Sequence, residues 1–232
     1  MNLSIIIPTI NEERNISRLL NQLLSNSNSN QYEIIVVDGG STDGTLKVVD
    51  GFTQVRLLHS ENCSRAAQMN IGALHAQFDV LYFVHADLIL PDSFFTDIQL
   101  ALSKSFYGGY RYRFDSGTPL LWINSFFTRF PMMWCRGGDQ TLFITRSLFD
   151  KLQGFDEYYC VMEDFDLLRR AKEIAKYHII QKEVVVSARK YTDNGYLKVQ
   201  LANLNAFRMF NRGEDPQKIR SYYKLALGLK DY

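Results

Sequence analysis

Short apolar runs alternate with helix-spaced apolar residues through the first half of this chain. Residues 3–7 form an apolar run that stops at Pro8, and Ile16, Leu19, Leu20, Leu23 and Leu24 then recur at helical spacing. The polar stretch 25–31 reads as a loop. Residues 33–37 predict a second strand, and Thr42 or Asp43 caps a short helix through residue 49. Residues 55–58 predict a third strand, 62–76 a helix with small apolar residues on one face, and 80–84 a fourth strand. Strands that read as unbroken apolar runs are buried on both faces, so this order predicts a parallel sheet covered by helices on both sides.

The second half is less regular. Pro91 opens a helix ending near residue 103. Residues 108–114 alternate through Tyr110, Arg111, Tyr112, Arg113 and Phe114, a strand with two distinct faces whose arginines face either solvent at a sheet edge or an anionic acceptor. Residues 119–134, dense in aromatics and methionine, read equally as a packed helix or as an exposed lip of a binding site. A short strand over 141–145, a helix over 163–176, a strand over 184–187 and two helices over 196–229 complete the chain.

Composition narrows the class. Of 232 residues, 46% are hydrophobic, enough for one large α/β domain with an appended segment. The net charge of +1 removes nucleic acid as the default partner. That charge is uneven, because residues 189–232 carry nine Lys/Arg against four Asp/Glu. Cys63, Cys135 and Cys160 are odd in number and widely spaced, which reads as free thiols in a reducing cytoplasm. The first residues do not read as a signal peptide, and no run approaches the roughly 18 apolar residues that span a bilayer.

Candidate chemistry gathers at three acidic sites. Ile34, Ile35, Val36 and Val37 run straight into Asp38-Gly39-Gly40-Ser41-Thr42-Asp43-Gly44. A carboxylate at the C-terminal mouth of a parallel strand lies where open α/β sheets bind ligands, and paired glycines allow a tight turn with close ligand approach. His85-Ala86-Asp87 follows the fourth strand in the same way. Glu163-Asp164-Phe165-Asp166 opens a helix, where the helix dipole alone already favours carboxylates. The two strand-end sites converge on one sheet edge, where a carboxylate suits a hard divalent cation.

In this order, Pro8-Thr9-Ile10-Asn11-Glu12, Val37-Asp38-Gly39-Gly40-Ser41-Thr42-Asp43-Gly44-Thr45, His85-Ala86-Asp87 and Glu163-Asp164-Phe165-Asp166 resemble the family 2 glycosyltransferases over about residues 3–175. The likeness is greatest to a subgroup of compact soluble bacterial members with His-Ala-Asp at the metal motif. The resemblance implies the GT-A fold: α/β, with a Rossmann-like, mostly parallel sheet, flanking helices and a helical C-terminal segment. It implies one domain over residues 1–188, with a nucleotide-sugar half over about 1–90 and an acceptor half over about 91–188; the charge and helical pattern of the tail add a basic helical segment over 189–232 packed on it.

The activity implied is an inverting transfer of a sugar from a nucleotide-diphosphate sugar to an acceptor hydroxyl. By that resemblance Pro8, Thr9 and Glu12 border the nucleoside, and Asp38, with Gly40 in its turn, accepts a hydrogen bond from the base. Arg65 and Asn70 line the nucleotide. Asp87 ligates a divalent metal, Mn2+ or Mg2+, and Asp164 is the base, with Glu163 beside it. Gly138 and Asp139 belong to a wall near sugar and acceptor. Two positions depart from the family pattern. His85 stands where the metal motif usually has Asp, so it serves as a ligand, bonds ribose or phosphate, or fills the strand end. Ile10 stands where many members carry an aromatic, which leaves the base open.

Two other classes compete. A sugar-phosphate nucleotidyltransferase would need a glycine-rich, arginine-containing N-terminal loop, and Pro8-Thr9-Ile10-Asn11-Glu12 occupies that place. A nucleotide-sugar binding protein without transfer activity would keep the pocket and lose the chemistry. The acceptor is open among a lipid, a saccharide and a small metabolite. In the tail, Leu197, Leu201 and Leu204 lie beside Lys198, Arg208 and Arg212, a pattern that suits the inner face of an anionic membrane. The preferred reading is that these helices cover the sheet or form a homodimer contact.

Overall fold

Ile5, Ile6 and Ile7 have no solvent exposure and alternate between two core layers, one on each side of a sheet. The computed structural model, which describes residues 1–133 and 140–228, sets them in the central strand β1 (Leu3–Thr9). With β2 (Tyr32–Asp38), β3 (Val55–His59), β4 (Val80–Phe83), β5 (Tyr107–Phe114), β6 (Leu142–Thr145) and β7 (His178–Val186), it forms a seven-stranded sheet ordered β3-β2-β1-β4-β6-β5-β7. β1 to β4 are mutually parallel, β6 is antiparallel to β4 and β5, and β7 is parallel to β5. Every strand except β6 therefore runs the same way. The C-terminal ends of β1, β2, β4, β5 and β7 share one edge, and the chain leaves each of them into a loop or helix at that edge.

One face is covered by α1 (Glu13–Leu24) and α4 (Phe94–Leu102), which pack Ile16, Leu19, Leu20, Leu23, Phe94 and Ile98 against Leu3, Ile5, Ile7 and Tyr82. The helical spacing of the α1 leucines is the cause of that contact, and each fully buried side chain contributes about 1.5–3 kcal/mol. The other face is covered by α3 (Arg65–His75), α6 (Arg146–Lys151) and α7 (Glu163–Ala171), against Ile6, Ile35, Val37, Leu81 and Phe83. The short α2 (Thr45–Asp50) and α5 (Pro119–Phe127) follow β2 and β5.

Residues 189–228 form α8 (Arg189–Asn194), α9 (Tyr196–Asn211) and α10 (Pro216–Leu227). α9 and α10 bury Ala206, Phe210 and Ile219 against Tyr159, Val161, Met162 and Phe165, the segment that leads into and begins α7. No helix among the described residues is long and apolar enough to cross a membrane.

Several elements differ from the sequence expectation. α7 stops at Ala171, where the backbone N–H groups of Ile174 and Ala175 both donate to the Ala171 carbonyl and turn the chain toward β7. β7 begins six residues earlier than its apolar core, because β5 pairs with it along its whole length, through a register shift at Tyr110/Arg111. β5 is thus an interior strand. Arg111 and Arg113 both pair with Glu183 of β7, beyond the short stretch where β5 meets β6 at Tyr107 and Gly108. Gly44 takes the N-cap position of α2, and Asp43 supports it by accepting from the Thr45 N–H at 2.9 Å.

Candidate active site

The parallel register sets Thr9 of β1 opposite Asp38 of β2, at the edge where both strands end. Both are buried. The Thr9 N–H donates to Gln68 Oε1 of α3 at 2.8 Å, and the Gly39 N–H donates to the Thr9 carbonyl at 2.9 Å. Gln68 packs so closely that a Cβ on Gly39 would fall 2.2 Å from its Nε2. Gly40 has φ +97°, a left-handed conformation that a side chain would strain. Asp38 Oδ2 accepts from the N–H groups of Gly40 at 2.8 Å and Ser41 at 3.0 Å, which holds the turn. Its Oδ1 is buried and receives no hydrogen bond from the described residues. A buried carboxylate oxygen without a donor carries its full desolvation cost, so a ligand N–H or O–H is its natural complement.

Asn11 staples the end of β1 to this turn. At φ 53° it presents Oδ1 to the Thr42 N–H at 2.8 Å and the Asp43 N–H at 3.3 Å. Glu12 follows, half-buried, with Oε2 accepting from Asn15 Nδ2 at 2.7 Å. Burial raises the Glu12 pKa, the Asn15 hydrogen bond and the Arg189 charge oppose the rise, and the charges of Asp87 and Asp43 add to it. Glu12, Asp87 and Arg189, remote in sequence, therefore share one electrostatic neighbourhood.

Asp87 is half-buried in the turn after β4, and its carbonyl accepts from Arg18 Nη2 at 3.0 Å. His85 opens the same turn, with its carbonyl accepting from the Leu88 N–H at 3.3 Å. Among the described residues no group of three His, Cys, Asp or Glu side chains is placed to enclose a metal ion. The Asp87 carboxylate, with the charge of Glu12 in the same neighbourhood, has the oxygen chemistry that would suit a hard divalent cation.

The third acidic site reaches this edge through Arg65. Ser64 caps α3 by accepting from the Ala67 N–H at 3.2 Å, which places Arg65 in the first helical turn. Arg65 Nη1 lies 3.5 Å from Glu163 Oε1 and 4.0 Å from Asp164 Oδ2. Glu163 is buried, whereas the Asp164 side chain keeps 22% of its surface. Asp164 also lines a cavity of about 20 Å³ with Gln140, Thr141, Leu142, Leu168 and Tyr177, room for one water molecule. Asp166 is engaged elsewhere: it accepts from Arg169 at 2.9 Å and Arg170 at 2.7 Å.

The structure brings Thr9, Glu12, Asp38, Gly40, Arg65, Asp87, Glu163 and Asp164 to one sheet edge, with Pro8 inside β1 beside them. Asn70 lies on α3 with its amide turned to the loop ahead of α7. It donates to the Phe155 carbonyl at 2.9 Å and to Glu157 at 3.0 Å, and accepts from the Phe155 N–H at 2.9 Å. Gly138 and Asp139, with Gly137, lie outside the described residues. Two residues escaped the sequence reading. Gln68 lies between Arg65 and Asn70 on α3, but a buried Gln has no spacing signal. Arg189 read only as the start of a basic tail.

The sequence profile described as Glycosyl transferase family 2 matches residues 4–160. The poly(ribitol-phosphate) beta-N-acetylglucosaminyltransferase TarS of Staphylococcus aureus is 31% identical over 93 residues, which cover 38% of this chain and 16% of TarS. The glycosyltransferase AglE of Haloferax volcanii is 33% identical over 90 residues, covering 36% of this chain and 30% of AglE. The aligned region is thus a third or less of either relative. The crystal structure of TarS residues 1–349 in complex with UDP-GlcNAc superposes at TM-score 0.68 with 18% identity, over 98% of this chain and 72% of that one. The mannosyltransferase PcManGT of Pyrobaculum calidifontis, in complex with GDP-Man and Mn2+, gives TM-score 0.66 and 17% identity over 98% and 72%. These likenesses show the same GT-A fold.

Proposed function

The chain belongs to Glycosyl transferase family 2, and on that premise we propose that it transfers a sugar from a nucleotide-diphosphate sugar to an acceptor hydroxyl, with inversion at the anomeric carbon. The observation that supports this reading is the shared edge of Asp38, with its undonated buried Oδ1, the Glu12–Asp87 carboxylates, and Asp164 beside Arg65.

Each residue has a chemical task in this reading. Asp38 Oδ1 accepts an N–H from the base and fixes the nucleoside. Arg65 gives the diphosphate a charge-assisted donor. Asp164 takes the proton of the acceptor hydroxyl as that oxygen attacks the anomeric carbon and the bond to the diphosphate oxygen breaks. Attack opposite the leaving group inverts the centre. Asp87, with Glu12 beside it, would hold a divalent cation, Mn2+ or Mg2+, whose charge neutralises the diphosphate as it leaves.

UDP-GlcNAc and GDP-mannose, the donors in the two superposed structures, are the first to test. A thermal-shift panel of nucleotide diphosphates and their sugars, with and without Mn2+, reads donor class and metal dependence together. Release of free nucleotide diphosphate from the stabilising donor supports transfer chemistry. Stabilisation with no turnover on lipid, saccharide or small-metabolite acceptors supports a binding protein.

A further inference from the structure

Two helices near the C-terminal edge of the sheet each expose an apolar stripe. α5 presents Leu120, Trp122 and Ile123, and α9 presents Leu197, Leu201 and Leu204, with Trp122 68% and Leu197 74% exposed. The helices are joined where Tyr196 Oη donates to Asn124 Oδ1 at 2.9 Å. α5 follows β5, and α8 and α9 follow β7, so both helices start from the same C-terminal sheet edge as the site, on its β5–β7 side. Neither stripe is the helix's inward face: α5 turns Leu121 and Ser125 inward, and α9 turns Val199, Ala202, Ala206 and Phe210 inward.

The charges within these two segments are of one sign, with Asp115, Asp193, Glu214 and Asp215 just outside them. Residues 116–133 contain no Asp or Glu, and neither do residues 194–213, whereas Arg129, Lys198, Arg208 and Arg212 lie within them. A two-fold dimer through this face would gather the cations of both copies, with no carboxylate from either stripe to offset them. An anionic lipid surface complements both features, since apolar and aromatic side chains enter the interface while Lys and Arg meet the headgroups.

We propose that the α5–α9 face docks on an anionic phospholipid bilayer. The docking stands on this surface alone. Its consequence, that a membrane-borne acceptor is presented at the mouth of the cleft, rests on the transferase reading.

Vesicle co-sedimentation of the full chain tests it, with phosphatidylcholine vesicles containing phosphatidylglycerol set against pure phosphatidylcholine. The wild type is expected to sediment with the anionic vesicles and to bind the neutral ones about tenfold or more weakly. Trp122→Glu with Leu201→Glu is expected to weaken anionic binding by about tenfold or more while melting temperature and nucleotide-diphosphate binding stay unchanged. No sedimentation with anionic vesicles, equal binding to neutral ones, or undiminished binding by the double variant overturns the proposal. So does a dimer, seen by sedimentation velocity without lipid, that the two substitutions dissociate. Nucleotide binding in the same samples reports on the transferase reading separately.

Discussion

The Arg65 guanidinium lies 3.5 Å from the Glu163 carboxylate and ties the first turn of α3 to the first turn of α7. One helix borders the Asp38 turn and the other carries Asp164, so this ion pair spans the two sides of the cleft. Arg65 is nearly half exposed, which lets solvent screen the attraction, yet Glu163 is buried and would lose this cation. Arg65→Ala is expected to lower stability by about 1 kcal/mol in urea unfolding. It should also weaken nucleotide-diphosphate binding about tenfold by calorimetry. Lower stability with unchanged affinity would reduce Arg65 to a strut.

Asp38→Ala removes both the acceptor that holds the Gly40–Ser41 turn and the undonated Oδ1. Nucleotide affinity should fall by about 1.5–3 kcal/mol, roughly ten- to a hundredfold. Full affinity in the variant would mean that the base is read elsewhere.

Gly39→Ala drives a Cβ into the Gln68 amide and forces it off the Thr9 N–H. A loss of about 1–3 kcal/mol is expected, measured by chemical denaturation. A neutral substitution would show that Gln68 moves aside at no cost.

Acid should loosen the same turn. Slight burial raises the Asp43 pKa, but hydrogen bonds from the Thr45 hydroxyl and the Thr45 and Glu13 backbone N–H groups outweigh it and hold the carboxyl below its usual 3.8. A carboxylate with a depressed folded-state pKa contributes stability above the unfolded value, and that stability is lost as pH falls through the folded value. The melting-temperature gap between wild type and Asp43→Asn should therefore be full at pH 6 and close on acidification below about pH 4. A gap independent of pH would contradict this.

Phe210 clamps the segment before Asp164. Its ring lies 5.6 Å from Tyr159 and 6.1 Å from Phe165, with the Arg169 guanidinium 4.9 Å over its face. Phe210→Ala should cost about 3 kcal/mol in stability and lower turnover more than donor affinity, because Phe210 packs on Phe165, next to Asp164. Loss of donor affinity alone would contradict that division.

The central strands were legible because burial on both faces demands unbroken apolar runs, as in Ile34 to Val37. The strand-end positions of Asp38 and Asp87 followed directly. Strand order beyond β4 was not legible, since the antiparallel insertion of β6 depends on crossovers that leave no local pattern. β7 was read short because Gln181, Lys182 and Glu183 break its apolar run, although β5 pairs through it. The aromatic stretch after β5 becomes a helix with apolar side chains on both faces, which periodicity alone could not assign. Arg189 shows the same limit, since its charge reaches Glu12 across about three quarters of the chain length.

The role of Asp164 is the centre of the account, and one pair of measurements on Asp164→Asn tests it. Sugar transfer, followed as nucleotide diphosphate released in the presence of acceptor, should fall by about 10²–10⁴-fold while calorimetric affinity for the nucleotide diphosphate stays nearly intact. Turnover equal to wild type would contradict the assignment of Asp164 as the base.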